Sequence, residues 1–307
     1  MTNLDLGVPA TTFASGATVH HAVEFAVVEG FRPLLLDLYQ PARGSALASP
    51  AIVYLHGGGW AVGSRRRFGR AFASWSPSPF DRLAQAGFVV AAVDYRLSGE
   101  ARFPAQLHDV KAAVRWLRAN AARLEVDPAR VLAWGESAGG HLATLAGLTG
   151  ECTDLEGSVG ECLDESSAVC GVVDWYGPMN LLSVGSQHRP GSAKRPDDAG
   201  SWESSLVGVP LQTDPVRTLA ASPVSYVHAD APPVQVHHGT ADTQVPFAQS
   251  IEFAEALRSA GGTVELVVVE GSDHFWTGAP DLEAIFDASL AFARRVTARD
   301  AATTAPE

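Results

Sequence analysis

The sequence is poor in lysine: Lys111 and Lys194 stand alone beside many arginines. It is also poor in cysteine. Cys152, Cys162 and Cys170 are too few, and odd in number, for a disulfide framework in a chain of 307 residues. Cys152 and Cys162 bracket a loop rich in glycine and acid, and are the pair to expect in an exported protein; otherwise all three are free thiols. No cysteine and histidine spacing suits zinc, so no metal site is expected. There is no apolar run of about 18 residues, hence no expected membrane span. Residues 1–16 lack a basic start followed by an apolar stretch, so a cytoplasmic protein is expected, or a secreted one if a leader has been removed. Positive charge is in deficit. Against 34 Asp and Glu stand 22 Lys and Arg, a formal net charge of −12, which disfavours nucleic acid and anionic membranes as partners.

What is present is core-forming material. Hydrophobic residues make up 46% of the chain and charged residues only 18%. That composition suits one folded α/β domain rather than a disordered tract. Val19–Val28 and Pro33–Tyr39 read as strands around a turn at Glu29-Gly30. Ala51–Leu55, Phe88–Val93, Arg130–Trp134, Val169–Trp175, Val234–His238 and Val264–Val269 are short apolar runs, the pattern of strands buried on both faces of a parallel sheet. Between them lie helices. One opens at Pro104, with Leu107, Val110, Val114 and Leu117 at helical spacing. Others are expected over Ala138–Leu148, Pro246–Ala260 (ended by Gly261-Gly262) and Leu282–Val296. Alternating strands and helices predict a mostly parallel, eight-stranded sheet covered on both faces. Residues 18–297 form a single domain in this reading, with loosely ordered termini at 1–17 and 298–307. Residues 177–223, rich in Ser, Gly and Pro, read as a cap-like insertion over the carboxyl edge of the sheet, where ligands bind in such folds.

Gly135-Glu136-Ser137-Ala138-Gly139 follows a strand and precedes a helix, the context that the G-x-S-x-G motif requires. A tight turn there exposes the Ser137 hydroxyl and points a helix N-terminus at developing negative charge. His56-Gly57-Gly58-Gly59-Trp60 directly follows another strand. A glycine run lets backbone amides face an oxyanion, and Gly58, Gly59 and Ala138 are the expected donors. His56 precedes the loop and is read as bracing it. A serine nucleophile needs a base, and the base an orienting carboxylate. His274, after the strand ending at Val269, is the expected base. Asp242, in His238-Gly239-Thr240-Ala241-Asp242, is the expected acid, with Asp174 and Asp273 as rivals. Trp60, Trp175, Tyr176, Phe275 and Trp276 stand at or just after strand ends and are candidate walls of a substrate pocket.

Together these motifs resemble the hormone-sensitive-lipase-like esterases, and more closely their bacterial feruloyl or acetyl-xylan esterase-like branch. The likeness runs from Thr18 to about Val296. It also includes Val93-Asp94-Tyr95-Arg96-Leu97, Gly140-His141-Leu142-Ala143, Val173-Asp174-Trp175-Tyr176-Gly177-Pro178 and Val245-Pro246. The resemblance implies an α/β-hydrolase fold, the triad and oxyanion hole just named, no cofactor and small-molecule ester substrates. Ser272-Asp273 and Phe275-Trp276 are bulkier and more acidic than the small residues usual around the histidine in that family. An arylformamidase-like amide hydrolase would use the same triad and a similar His-Gly-Gly-x-Trp loop. A hydrolase fold kept as a binding module is the non-enzymatic alternative. Oligomeric state is left open.

Overall fold

The computed structural model describes residues 6–42, 47–190 and 192–299. Side-chain alternation along the central strands decides the architecture. In the strand Ser49–Leu55, Ala51, Val53 and Leu55 enter one buried cluster while Ile52 and Tyr54 enter another. In Val89–Val93 and Val126–Glu136, successive residues divide between the same two clusters. A strand whose two faces are both apolar must be covered twice. Helices accordingly lie on each side.

The strands are β1 (Ala10–Thr12), β2 (Thr18–Ala26), β3 (Leu34–Gln40), β4 (Ser49–Leu55), β5 (Val89–Val93), β6 (Val126–Glu136), β7 (Val172–Trp175), β8 (Val234–Gly239) and β9 (Val264–Val269). They form one nine-stranded sheet in the order β1-β2-β3-β5-β4-β6-β7-β8-β9. From β5 to β9 every pairing is parallel, and β1, β2 and β3 add an antiparallel edge. The helices are α1 (Pro79–Gln85), α2 (Ala105–Ala119), α3 (Ala121–Leu124), α4 (Ala138–Leu148), α5 (Val184–Gln187), α6 (Trp202–Val207), α7 (Pro215–Ala220), α8 (Ala248–Ser259) and α9 (Leu282–Val296). Residues of α2, α4 and α8 fill one cluster, and residues of α1 and α9 fill the other.

The sheet has one strand more than the eight expected. Ala10–Thr12 pairs with Thr18–His20 in antiparallel register, although all three of its residues are exposed. The strand joins the sheet through its backbone and buries no face of its own, so no apolar pattern announced it. The expectation of loosely ordered termini lies outside the described residues for 1–5 and 300–307. The short helix α1 was also not expected. Ser78 caps it by accepting from Asp81 N at 3.2 Å, and Pro79 occupies the first turn. Cys152, Cys162 and Cys170 are free thiols. Among the described residues no helix is long and apolar enough to cross a membrane.

Because the strands from β4 to β9 run parallel, their carboxyl ends share one edge. Gly57–Gly59 follow β4, Ser137 follows β6, Asp242 follows β8 and His274 follows β9. The topology thus gathers four distant segments at one place.

Candidate active site

Ser137 joins β6 to α4 at φ 52° and ψ −120°, a backbone conformation that a non-glycine residue adopts only under constraint. The constraint is visible on both sides. Ser137 N donates to Trp175 O at 2.7 Å. Gly139 passes so close to β4 that a Cβ there would lie 2.0 Å from Leu55 O. The turn therefore tolerates no side chain at 139, and the serine hydroxyl is held outward.

His274 Nε2 lies 3.0 Å from Ser137 Oγ, and His274 Nδ1 lies 2.7 Å from Asp242 Oδ2. The residues come from three strand ends and are nearly buried. Asp242 Oδ1 accepts from Gln244 N at 2.8 Å and Val245 N at 2.9 Å. Burial alone would raise the Asp242 pKa, but hydrogen bonds from His238 and His274 outweigh it and hold the carboxyl well below its usual range. The two rival acids sit elsewhere. Asp174 is fully buried and accepts from Gly177 N at 3.1 Å. Asp273 turns away from the imidazole beside it: its Oδ1 accepts from Thr243 N and His274 N, both at 2.7 Å. That clasp ties the loop of His274 to the loop of Asp242.

Gly58 (φ 127°) and Gly59 (φ 59°) carry the chain around the turn after β4. At Gly58 the need for glycine is steric as well as conformational, since a Cβ would meet Val62 O at 2.0 Å. Among the described residues, no acceptor meets the N–H of Gly58, Gly59 or Ala138, and all three residues line one cavity with Ser137 and His274. Two buried groups brace this loop. His56 bonds to Gly57 O through Nδ1 at 2.8 Å and stacks on Tyr95, whose hydroxyl donates to His56 O at 2.8 Å. Glu136 accepts from Tyr176 Oη at 2.8 Å and from Gly57 N at 3.4 Å. Burial is the main influence on Glu136 and raises its pKa.

The cavity measures about 1060 Å³. Of the expected wall residues, Trp60 and Phe275 line it. Trp175, Tyr176 and Trp276 do not, which corrects the expectation. Trp175 points to the α9 side of the sheet and donates to Ser289 Oγ at 2.9 Å. Tyr176 spends its hydroxyl on Glu136, and Trp276 packs against both rings at 5.6 and 4.7 Å. A position at a strand end does not say which face a ring takes. Trp75 and Trp202, which the sequence did not single out, line the cavity instead. Trp202 covers Gly59 closely enough that a Cβ there would fall 2.3 Å from its ring.

Residues 177–223 reach the site through Trp202, Lys194 and their neighbours. Their anchor is His141 on α4. Its Nε2 donates to Ala221 O at 2.7 Å and its Nδ1 accepts from Trp60 Nε1 at 3.3 Å. Burial lowers the His141 pKa to about 4, so the ring is neutral and can both donate and accept.

A mostly parallel sheet with a serine elbow, a histidine and a carboxylate at its carboxyl edge defines an α/β-hydrolase. Residues 36–257 match the BD-FAE family, and the chain belongs to it. Esterase LipQ of Mycobacterium tuberculosis is 32% identical over 247 residues, covering 80% of this chain and 55% of LipQ. The chain thus spans about half the length of the curated relatives it matches. Among solved structures, a truncated carbohydrate esterase from gut microbiota superposes with a TM-score of 0.79 at 29% identity, covering 94% of this chain and 99% of that one. Esterase Est2 of the planctomycete Thermogutta terrifontis, solved with butyrate bound, gives a TM-score of 0.68 at 31% identity, covering 95% and 94%.

Proposed function

We propose that the protein is a serine carboxylesterase acting on short-to-medium acyl esters through an acyl-enzyme. The observation that carries this reading is the hydrogen-bond chain Asp242–His274–Ser137, at 2.7 and 3.0 Å, beside amides that meet no acceptor among the described residues. Esterase names among the relatives and structural neighbours support it.

In this scheme Ser137 Oγ attacks the ester carbonyl while His274 Nε2 takes its proton. Asp242 keeps the other imidazole proton on Nδ1 and stabilises the imidazolium. The amides of Gly58, Gly59 and Ala138 bind the oxyanion as charge moves onto the carbonyl oxygen. The tetrahedral intermediate collapses, the C–O bond breaks and His274 protonates the departing alcohol. Water then enters, gives its proton to His274 and releases the acid, restoring Ser137. Trp60, Phe275 and Trp75 supply apolar wall for the acyl or alcohol group, and residues 177–223 serve as the cap of a single domain spanning residues 18–297.

Hydrolysis of p-nitrophenyl esters from acetyl to decanoyl tests the reading. Turnover that peaks at short-to-medium chains and falls by about 10⁴–10⁶ in Ser137→Ala is expected. Turnover retained in that variant contradicts it, and turnover of N-formyl aryl amides but not esters replaces it with the amide hydrolase.

A further inference from the structure

The cavity mouth departs from the charge balance of the molecule. The chain carries 34 acidic and 22 basic residues. The cavity is lined by Arg66, Arg67, Arg70, Lys194 and Arg195 and by only two carboxyls, Glu136 and Glu203. Burial, the main influence on both acids, raises their pKa values. Glu136 is in addition engaged by Tyr176. Asp242 lies behind His274, outside the lining.

Among the described residues the five cations have no close counter-ion, although Lys194 acts electrostatically on Glu203 from farther away. The adjacent Arg65, by contrast, is buried and paired with Asp37 at 2.7 Å and Asp94 at 2.6 Å. Arg70 lies 5.9 Å from the Phe275 ring and Lys194 lies 5.2 Å from the Trp202 ring, both rings being part of the cavity wall. Among the described residues Arg195 donates to the backbone carbonyls of Ser192 and Lys194. The cations come from two separate segments, the loop after β4 and residues 177–223, which line one cavity together. Gathering like charges around one cavity with few counter-ions is unfavourable, and a bound anion relieves it. Guanidinium groups in addition match a carboxylate through paired hydrogen bonds.

We propose that this mouth recognises an anionic group on the substrate: the ester carries a carboxylate several bonds from its scissile carbonyl. The proposal rests on the esterase reading of the same cavity and names its substrate class. The charge attracts and orients the substrate while the apolar walls near Ser137 receive the uncharged part. Steering of this kind acts on kcat/KM and weakens with salt.

Two matched pairs of esters test it. In the acyl pair, p-nitrophenyl hydrogen adipate is compared with p-nitrophenyl hexanoate, which replaces the carboxylate by a methyl group. In the alcohol pair, 3-(4-acetoxyphenyl)propanoate is compared with 4-propylphenyl acetate. The expected result is a kcat/KM preference of about tenfold or more for the anion in at least one pair at low ionic strength, shrinking toward parity near ~0.5 M NaCl. Which pair shows it tells whether the anion lies on the acid or the alcohol. The preference ratio falls about tenfold or more in Arg66→Glu/Arg67→Glu and in Lys194→Glu/Arg195→Glu. Because a ratio is read on one enzyme preparation, partial misfolding cancels. Parity in both pairs at low salt, with the neutral esters turned over, overturns the proposal and leaves the esterase reading intact. No turnover of any of the four esters overturns both.

Discussion

His238 Nε2 lies 3.2 Å from Asp242 Oδ2, the oxygen that also meets His274 Nδ1. Nε2 is 3.0 Å from Val245 O as well, so it faces two acceptors and must carry the ring proton. Nδ1 then accepts from Ser250 Oγ at 2.6 Å. Two histidines therefore converge on one carboxylate oxygen, and the inner one is fixed by α8. In the proposed mechanism His238 positions Asp242. His238→Ala removes a charge-assisted hydrogen bond of about 1.5–3 kcal/mol, which lowers kcat about 10–100-fold on p-nitrophenyl butyrate. His238→Gln, whose amide can donate in place of Nε2, restores most of the loss. Equal kcat in all three proteins removes His238 from the account.

Asp242 also makes a pH-dependent contribution to stability. Burial pushes its pKa up, but the donors around it hold the folded value below the usual range. A carboxyl with a depressed folded pKa stabilises the native state above its unfolded pKa, about 4, and that contribution is lost as pH falls toward the folded value. The difference in Tm between the wild type and Asp242→Asn is accordingly constant near neutrality and narrows below pH ~4. A difference that widens in acid contradicts this sign.

Trp175 and Trp202 separate stability from binding. Trp175 is fully buried among the rings packed against α9, so Trp175→Ala costs about 3–5 kcal/mol in urea unfolding. Trp202 is 48% exposed and covers Gly59 at the cavity, so Trp202→Ala shifts KM while stability changes by about 0.5 kcal/mol or less. Equal loss of stability in both variants contradicts the wall assignment.

The sequence was most legible where one physical demand acted alone. β9 and α9 have the bounds that the apolar run 264–269 and the helical periodicity of 282–296 predict. The parallel sheet followed from runs apolar on both faces; Ser137, His274 and Asp242 were singled out from their places after strands, and the fold brings their side chains within hydrogen-bond distance of one another. The illegible parts depend on contacts between distant segments. The edge strand at Ala10–Thr12 has no buried face to leave a pattern. Strand-end aromatics were identified without their direction: Trp175 lies beside Val173 in the cluster against α9, while Trp202 reaches the cavity from a helix in the irregular stretch 177–223. His238 was in view beside the predicted acid, but the motif accounted for Asp242 without it. Its partners Val245 and Ser250 lie 7 and 12 residues away and meet it only once β8 and α8 pack.

The most direct measurement is covalent labelling of the nucleophile. Treatment with diethyl p-nitrophenyl phosphate, followed by peptide mass spectrometry, reads which residue forms a phosphoryl ester. One diethylphosphoryl group per chain is expected, located on Ser137, with ester hydrolysis lost in proportion to labelling, and no label in Ser137→Ala. Labelling at another residue accompanied by loss of activity, or full activity in a protein labelled at Ser137, would contradict this expectation.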